Sequence, residues 1–204
     1  MADRQVEDLR GVTAAAGTTK ARIERAALTL FCQKGVDAVT TREIAQASSI
    51  SEGALYRHYP SKESLAETMF FAIHTHLADE IHASADQADG IDEKAQAIVA
   101  TYAHIADDDW TLFAYHLLTT HRFLPFKEEK QRTHKYNPVS LVEEIIADAM
   151  KKGELTAGDA AFKAANALGV VLQTALHKIY GRIEDDLTNR KAELSAAVIA
   201  VLKA

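Results

Sequence analysis

Histidines, carboxylates and thiols are the groups in this 204-residue chain that could carry reaction chemistry. A zinc site on a helix needs ligands at a spacing such as i, i+4, with a further donor nearby. His74 and His76 are two apart and point to different faces; His116 and His121 are five apart, about 140° round a helix. No HExxH and no CxxC occurs, and three adjacent aspartates at 107–109 read as acids at a helix start. No serine-nucleophile motif, P-loop or dinucleotide glycine fingerprint is present. The expectation is therefore no catalytic residues, no metal and no cofactor. What remains is recognition chemistry, and it is densest in residues 40–62, TTREIAQASSISEGALYRHYPSK.

That stretch needs elements to position it. Thr40 or Thr41 can cap a short helix, since a hydroxyl there accepts from an unpaired backbone N–H. Ile44 and Ala45 give it a small apolar face, and Ser48 and Ser49 suit a turn. Ser51 can cap a second helix that turns Leu55 and Tyr59 inward and stops at Pro60. Its other faces present Glu52, Gly53, Ala54, Tyr56, Arg57 and His58. The pattern is a helix-turn-helix whose second helix is placed to enter a DNA major groove.

Two helices this short require a scaffold. One neighbour is a helix over 20–34, capped by Thr18 or Thr19, with Ile23, Ala27, Leu30 and Phe31 on one face and Gly35 after it. The other starts at Ser61 and runs to about residue 82 through Leu65, Met69, Ile73, Leu77 and Ile81. Lys62 sits at the positive end of that helix, where a cation is explained by a phosphate held between lysine and free N–H groups. The absence of a flexible linker suggests mechanical coupling.

Residues 41–65 carry TxxxIA followed by ISxGxLYxHYxSKExL, and FxxKG precedes them at 31–35. Over about fifty residues this resembles the amino-terminal DNA-binding domain of the tetracycline-repressor (TetR) family. Ser49 departs from it, standing where the family usually has Gly, and a slightly shifted turn is expected. By motif position, Thr41, Tyr56, His58 and Lys62 should touch phosphates. Arg42, Glu52, Gly53, Ala54 and Arg57 should lie near base edges, and Thr40 and Ser51 complete the DNA-binding set. The resemblance also implies a homodimer through the last two long helices, 159–180 and 187–202, and a small-molecule cavity in the middle helices. A ligand there would displace the helix after Pro60.

The rest of the chain gives no strand pattern and no repeat. Further helices are expected over 91–105, from 110 to about 121, from 138 to about 152, 159–180 and 187–202, with an irregular connection over 123–136. The fold class is all-α, about nine helices: a mobile tail at 1–17, a helix-turn-helix domain at 18–64, and a ligand-binding and dimerisation domain at 65–204. Net charge is −6, which excludes a general polyanion binder, yet residues 1–62 hold 9 basic and 7 acidic side chains. That asymmetry suits a protein gripping DNA at one end. The single cysteine, Cys32, excludes an internal disulfide and suits a reducing cytoplasm. No apolar run reaches membrane-span length, so no membrane partner is expected.

Candidate effector contacts are Phe70, Tyr102, Trp110, Phe113, His116 and Gln173, largely aromatic, which points to a small apolar ligand. Asn166, Gln173 and His177 share one face of an Ala-rich helix and could pair across a dimer or line a cavity. The reading is a ligand-responsive DNA-binding regulator, a repressor released from a near-palindromic operator by its effector. The alternative is a helical small-molecule-binding or scaffolding protein without DNA regulation.

Overall fold

A computed structural model of the chain describes residues 11–124 and 137–204. Among them are nine α-helices and no strand: α1 Thr19–Lys34, α2 Thr41–Ala47, α3 Glu52–His58, α4 Lys62–Asp86, α5 Gly90–Asp108, α6 Trp110–Phe123, α7 Pro138–Lys151, α8 Ala160–Ile179 and α9 Lys191–Lys203. Most of the expected connection over 123–136 lies outside the described residues. The chain divides into two compact units, one from Met1–Ile73 with Thr111–Pro125, the other from His74–Trp110 with Phe126–Ala204.

In the first unit, α1 supplies Ile23, Ala27, Leu28 and Phe31 to a core completed by Val39, Ile44, Leu55, Leu65, Met69 and Phe70. Each fully buried side chain of this size contributes about 1.5–3 kcal/mol, which α2 and α3 could not obtain alone. The middle of α6 belongs to this core. Tyr115 stacks on Phe31 with centroids 5.9 Å apart and donates to the Ala66 carbonyl at 2.7 Å.

A carboxylate is buried in this apolar setting. Glu24, 0% exposed, accepts hydrogen bonds from the Thr13 amide (2.9 Å), the Thr13 hydroxyl (2.5 Å) and the Tyr59 hydroxyl (2.5 Å). Burial and Glu24 together push the Tyr59 phenol up, so it stays protonated and remains a donor. Residues 11–17, expected as part of a mobile tail, are therefore pinned to α1, because Glu24 needs donors once it is out of water. Gly11 fits there for want of a side chain: a Cβ would collide with Glu24 Oε2 and the Ala21 backbone. Residues 1–10 of that tail lie outside the described residues.

The second unit packs α5, α7, α8 and α9 around Val99, Ile146, Ala167, Val171, Val198 and Leu202. Ala164, Ala167, Val171 and Ala175 form the buried side of α8, and residues this small let neighbouring helices approach closely. Ile91 N–H donates to Glu154 at 2.6 Å, and Lys203 pairs with Asp92 at 2.6 Å. Two expectations change here. Asp107 and Asp108 end α5 instead of opening α6, and Asp109 is its C-cap. The last helix, expected from 187, begins with a 3-10 turn, Leu187–Arg190. The Leu187 and Thr188 N–H groups donate to the Asp107 carboxylate at 3.1 and 2.8 Å, which ties that turn to the end of α5.

Tyr59→Phe should destabilise the chain by about 1–3 kcal/mol, since it leaves the buried carboxylate short of a donor; urea unfolding followed by circular dichroism measures this. His74, buried on α4, is pushed by burial from 6.5 down to about 4. The folded state thus favours the neutral ring, and the associated stability is complete above pH 6.5 and lost as pH falls through about 4. His74→Leu should flatten that part of the stability profile by roughly 1–3 kcal/mol.

Candidate functional site

The recognition residues sit on α2, α3 and the first turn of α4, and caps fix each helix start. Thr40 and Glu43 form a capping box: the Glu43 N–H donates to the Thr40 hydroxyl at 3.2 Å, and the Thr40 N–H donates to Glu43 at 2.8 Å. Lys34 also donates to Glu43 at 2.7 Å. The lysine first, then Thr40, hold the Glu43 carboxyl down at about 2. Ser51 caps α3, accepting from the Ala54 N–H at 3.2 Å. Leu55 and Tyr59 face the core, as the i, i+4 spacing requires.

Ser49 closes the turn at φ 56, the sole positive-φ non-glycine among the described residues. The turn holds this conformation despite the side chain because its backbone is fully used. Ser48 N–H donates to the Ile44 carbonyl, Ser49 N–H to Gln46 and Ile50 N–H to Ala45. The chain accepts a modest left-handed strain at Ser49.

The outer surface divides into linked and free groups. The Thr41 hydroxyl donates to Glu52 at 3.1 Å and accepts from the Tyr56 hydroxyl at 3.4 Å, tying α2 to α3. Gly53 is exposed and Ala54 half-buried. Arg42, Arg57 and His58 are exposed and form no hydrogen bond or ion pair among the described residues. Two guanidinium forks and an imidazole thus stand in water beside a half-exposed Tyr56. Such an array can donate to an acceptor-rich partner without first breaking a contact.

Lys62 is engaged within the chain. Its ammonium donates to the Asp37 and Val39 carbonyls at 3.1 and 2.8 Å, and its side chain is only 14% exposed. The cation at this helix start is stabilised by loop carbonyls within the chain, so its placement needs no phosphate. Asp37 is held from a second side by Arg122 of α6 at 2.8 Å. Ser61 caps α4, accepting from the Ser64 N–H at 3.0 Å.

The effector candidates divide between the units. In the first, Phe70, Phe113 and His116 are buried; His116 lies on Phe70 at 4.9 Å and Phe123 tilts against the same ring at 5.1 Å, an aromatic cluster continuous with the core. In the second, Tyr102 is buried, Trp110 lies under the Lys178 ammonium at 5.3 Å, and Gln173 is exposed on α8. None of the six lines the small apolar pocket of the second unit, about 50 Å³, which Ile98, Val99, Ile145, Ile146, Leu168 and Val171 help to wall. That lining is aliphatic, and aromatic content in the sequence gave no sign of it. Asn166 and Gln173 face solvent beside Phe162 and Tyr180, which are 67% and 62% exposed. Among the described residues no cluster of three or more His, Cys, Asp or Glu side chains could share a metal ion. No helix of the described residues is long and apolar enough to cross a membrane.

Residues 23–69 match the family described as bacterial regulatory proteins, tetR family. The nucleoid occlusion factor SlmA of Haemophilus ducreyi is 35% identical over 77 residues, 38% of either chain. The transcriptional repressor KstR2 of Rhodococcus jostii is 32% identical over 110 residues, 50% of this chain and 53% of that one. This chain therefore spans between 38% and 53% of the length of those two relatives. Among solved structures, the regulator FadR of Bacillus subtilis in complex with stearoyl-CoA has a TM-score of 0.69 at 14% identity, covering 88% of this chain and 97% of that one. The sequence match falls on the capped α2–α3 pair and its α1 and α4 supports, and the structural match extends the fold well beyond them. Residues 23–69 thus resemble the tetR family of bacterial regulatory proteins, and the solved structures share the fold of the chain around them.

Proposed function

We propose that this chain is a DNA-binding transcriptional regulator, a repressor released from a near-palindromic operator by a small apolar effector. The observation that carries the DNA reading is the uncommitted set Arg42, Arg57 and His58 on a capped helix pair whose inner side is locked to α1. Thr41, Tyr56, His58 and Lys62 would contact phosphates, and Thr40 and Ser51 hold the caps of the helices that aim at them. Arg42, Glu52, Gly53, Ala54 and Arg57 would lie near base edges. A homodimer through α8 and α9 is supported by the exposed Phe162 on α8 and Tyr180 at its C-cap, large apolar groups that a partner's helix would cover. An apolar effector is supported by the purely aliphatic pocket among α5, α7, α8 and α9, which would have to widen to admit one. The candidate contacts Phe70, Tyr102, Trp110, Phe113, His116 and Gln173 remain part of the proposal. α4 starts at Lys62 and runs unbroken to Asp86, which supports it as the element that carries the switch.

Arg57→Ala should relax one base position of the operator and cost roughly 1–3 kcal/mol, read by mobility shift on a set of single-base variants. Lys62→Ala should lower the salt slope of DNA binding by about 1. It should also lower the unfolding free energy by about 1–3 kcal/mol, because it removes two hydrogen bonds from loop carbonyls. A stability loss with an unchanged slope would reduce Lys62 to a structural pin.

A dimer should bury at least about 1,200 Å² and place the two α3 helices about 34 Å apart or a multiple of it. Light scattering at micromolar protein should give twice the chain mass, and Phe162→Glu should give a monomer. An effector found by thermal-shift screening should bind more weakly in the presence of operator, by the factor with which it weakens operator binding. Equal affinity with and without DNA would remove that compound as the inducer.

A further inference from the structure

The segment before α1 is built into the first unit at three consecutive residues. Gly11 is buried, and its N–H donates to the Ala14 carbonyl at 2.8 Å. Val12 packs, partly buried, against the core. Thr13 is exposed as a residue, yet its amide and its hydroxyl both donate to the buried Glu24, at 2.9 and 2.5 Å. Thr18 closes the segment back onto α1: its hydroxyl donates to the Ala15 carbonyl at 2.8 Å and accepts from the Ala21 N–H at 3.1 Å.

The Thr13 hydroxyl shares its acceptor with α3. Glu24 Oε1 takes both the Thr13 and the Tyr59 hydroxyl, at 2.5 Å each, while Oε2 takes the Thr13 N–H. Donors from the segment and from the end of α3 thus meet on one oxygen of α1. Tyr59 is the C-cap of α3 and only 4% exposed. α3 is seven residues long, and Leu55 and Tyr59 are its two inward anchors. Arg57, exposed, lies midway between them in the chain. A helix this short takes its orientation from its contacts. A shift of the Glu24 carboxyl group therefore moves Tyr59 and carries Arg57 with it.

Resting on the DNA reading above, we propose that Thr13 is a positioning residue: through Glu24 and Tyr59 it sets the fit of α3 to base edges without itself touching DNA. Two kinds of contact differ in tolerance. A bidentate contact to a base edge needs its donors closely placed. A phosphate contact is electrostatic and survives a small displacement. Loosening the Glu24 corner lowers discrimination first and leaves the salt dependence alone. The Thr13 hydroxyl is removable without unfolding the unit, because Thr13 is exposed and its amide still donates to Oε2. Gly11 gives a second handle on the same corner. A Cβ there would collide with Glu24 Oε2 and lie 2.8 Å from the Ala21 Cα, so Gly11→Ala displaces the segment or the carboxyl group and removes no donor.

The test uses the full chain, a duplex that the wild type selects from a random pool, and a random duplex of equal length. By mobility shift, Thr13→Val should lower the ratio of selected to random affinity about three- to tenfold, the effect of losing one hydrogen bond. Thr13→Ser should restore the ratio, Gly11→Ala should lower it, and the salt slope on the random duplex should not change. A merely structural loss would lower both affinities together and leave the ratio unmoved. On the selected duplex, Thr13→Val and Tyr59→Phe should be non-additive, since both act through Glu24. Without DNA, the Leu55 and Tyr59 amides of Thr13→Val should exchange hydrogen faster than those of the wild type, with α5 and α7–α9 unchanged. A wild-type ratio in Thr13→Val, or additive effects of the two substitutions, overturns the proposal. So does a smaller salt slope, which would put the segment on the DNA backbone. A wild type that selects no duplex removes the regulatory reading and the discrimination with it, whereas unchanged exchange in α3 removes the linkage itself.

Discussion

The carboxylate of Glu24 lies on the buried side of α1, cut off from water, and can stay there only while Thr13 and Tyr59 donate to it. Each donor comes from a different place. Thr13 belongs to the segment before α1, and Tyr59 is the residue that caps the end of α3. Satisfying one buried carboxyl group therefore fixes the entry to α1 and the exit of α3 together. The Lys20 ammonium adds to this from above, 5.7 Å from the centre of the Tyr59 ring. A seven-residue helix has little helical stability of its own. Its orientation is set by Leu55 in the core and by Tyr59 on Glu24, and the outward face of Tyr56, Arg57 and His58 follows from those two anchors.

The cations of the first unit fall into two populations with different consequences. Lys34, Lys62 and Arg122 are spent on Glu43, loop carbonyls and Asp37. They knit the loop between α1 and α2 to α4 and α6. Arg42 and Arg57 have no partner among the described residues, nor has the His58 ring beside them. Committed cations fix the geometry, and free cations keep their donors for a partner. A surface that fits phosphates and base edges, as the proposed function requires, needs both: freedom without fixation would add an ordering cost to every contact.

In the second unit, burial on one side of α8 is achieved by small residues, which leaves the opposite side bearing Phe162, Asn166, Gln173 and Tyr180 in water. The same economy explains the small aliphatic pocket, since Ala95 and Ala167 do not fill the space that longer side chains would.

Local patterns in the sequence determined the helices, their caps and the inward and outward sides of α3, because 3.6-residue periodicity and hydroxyl caps act over a few residues. Thr40, Ser51, Leu55 and Tyr59 take the places their spacing requires. The stretch at 40–62 was likewise enough to mark the capped helix pair to which the proposed function assigns DNA contact. Only the tertiary structure decided where charges end. Glu24 looks like an ordinary helix acid until the fold buries it, and nothing near Lys62 in the chain shows that its ammonium donates to the carbonyls of Asp37 and Val39, more than twenty residues away. Asp107 reads as the start of one helix and proves to hold a turn 80 residues later. Electrostatic partners are chosen by distance in space, and that distance is set by the packing of apolar faces whose identity, but not mutual arrangement, is written in the sequence.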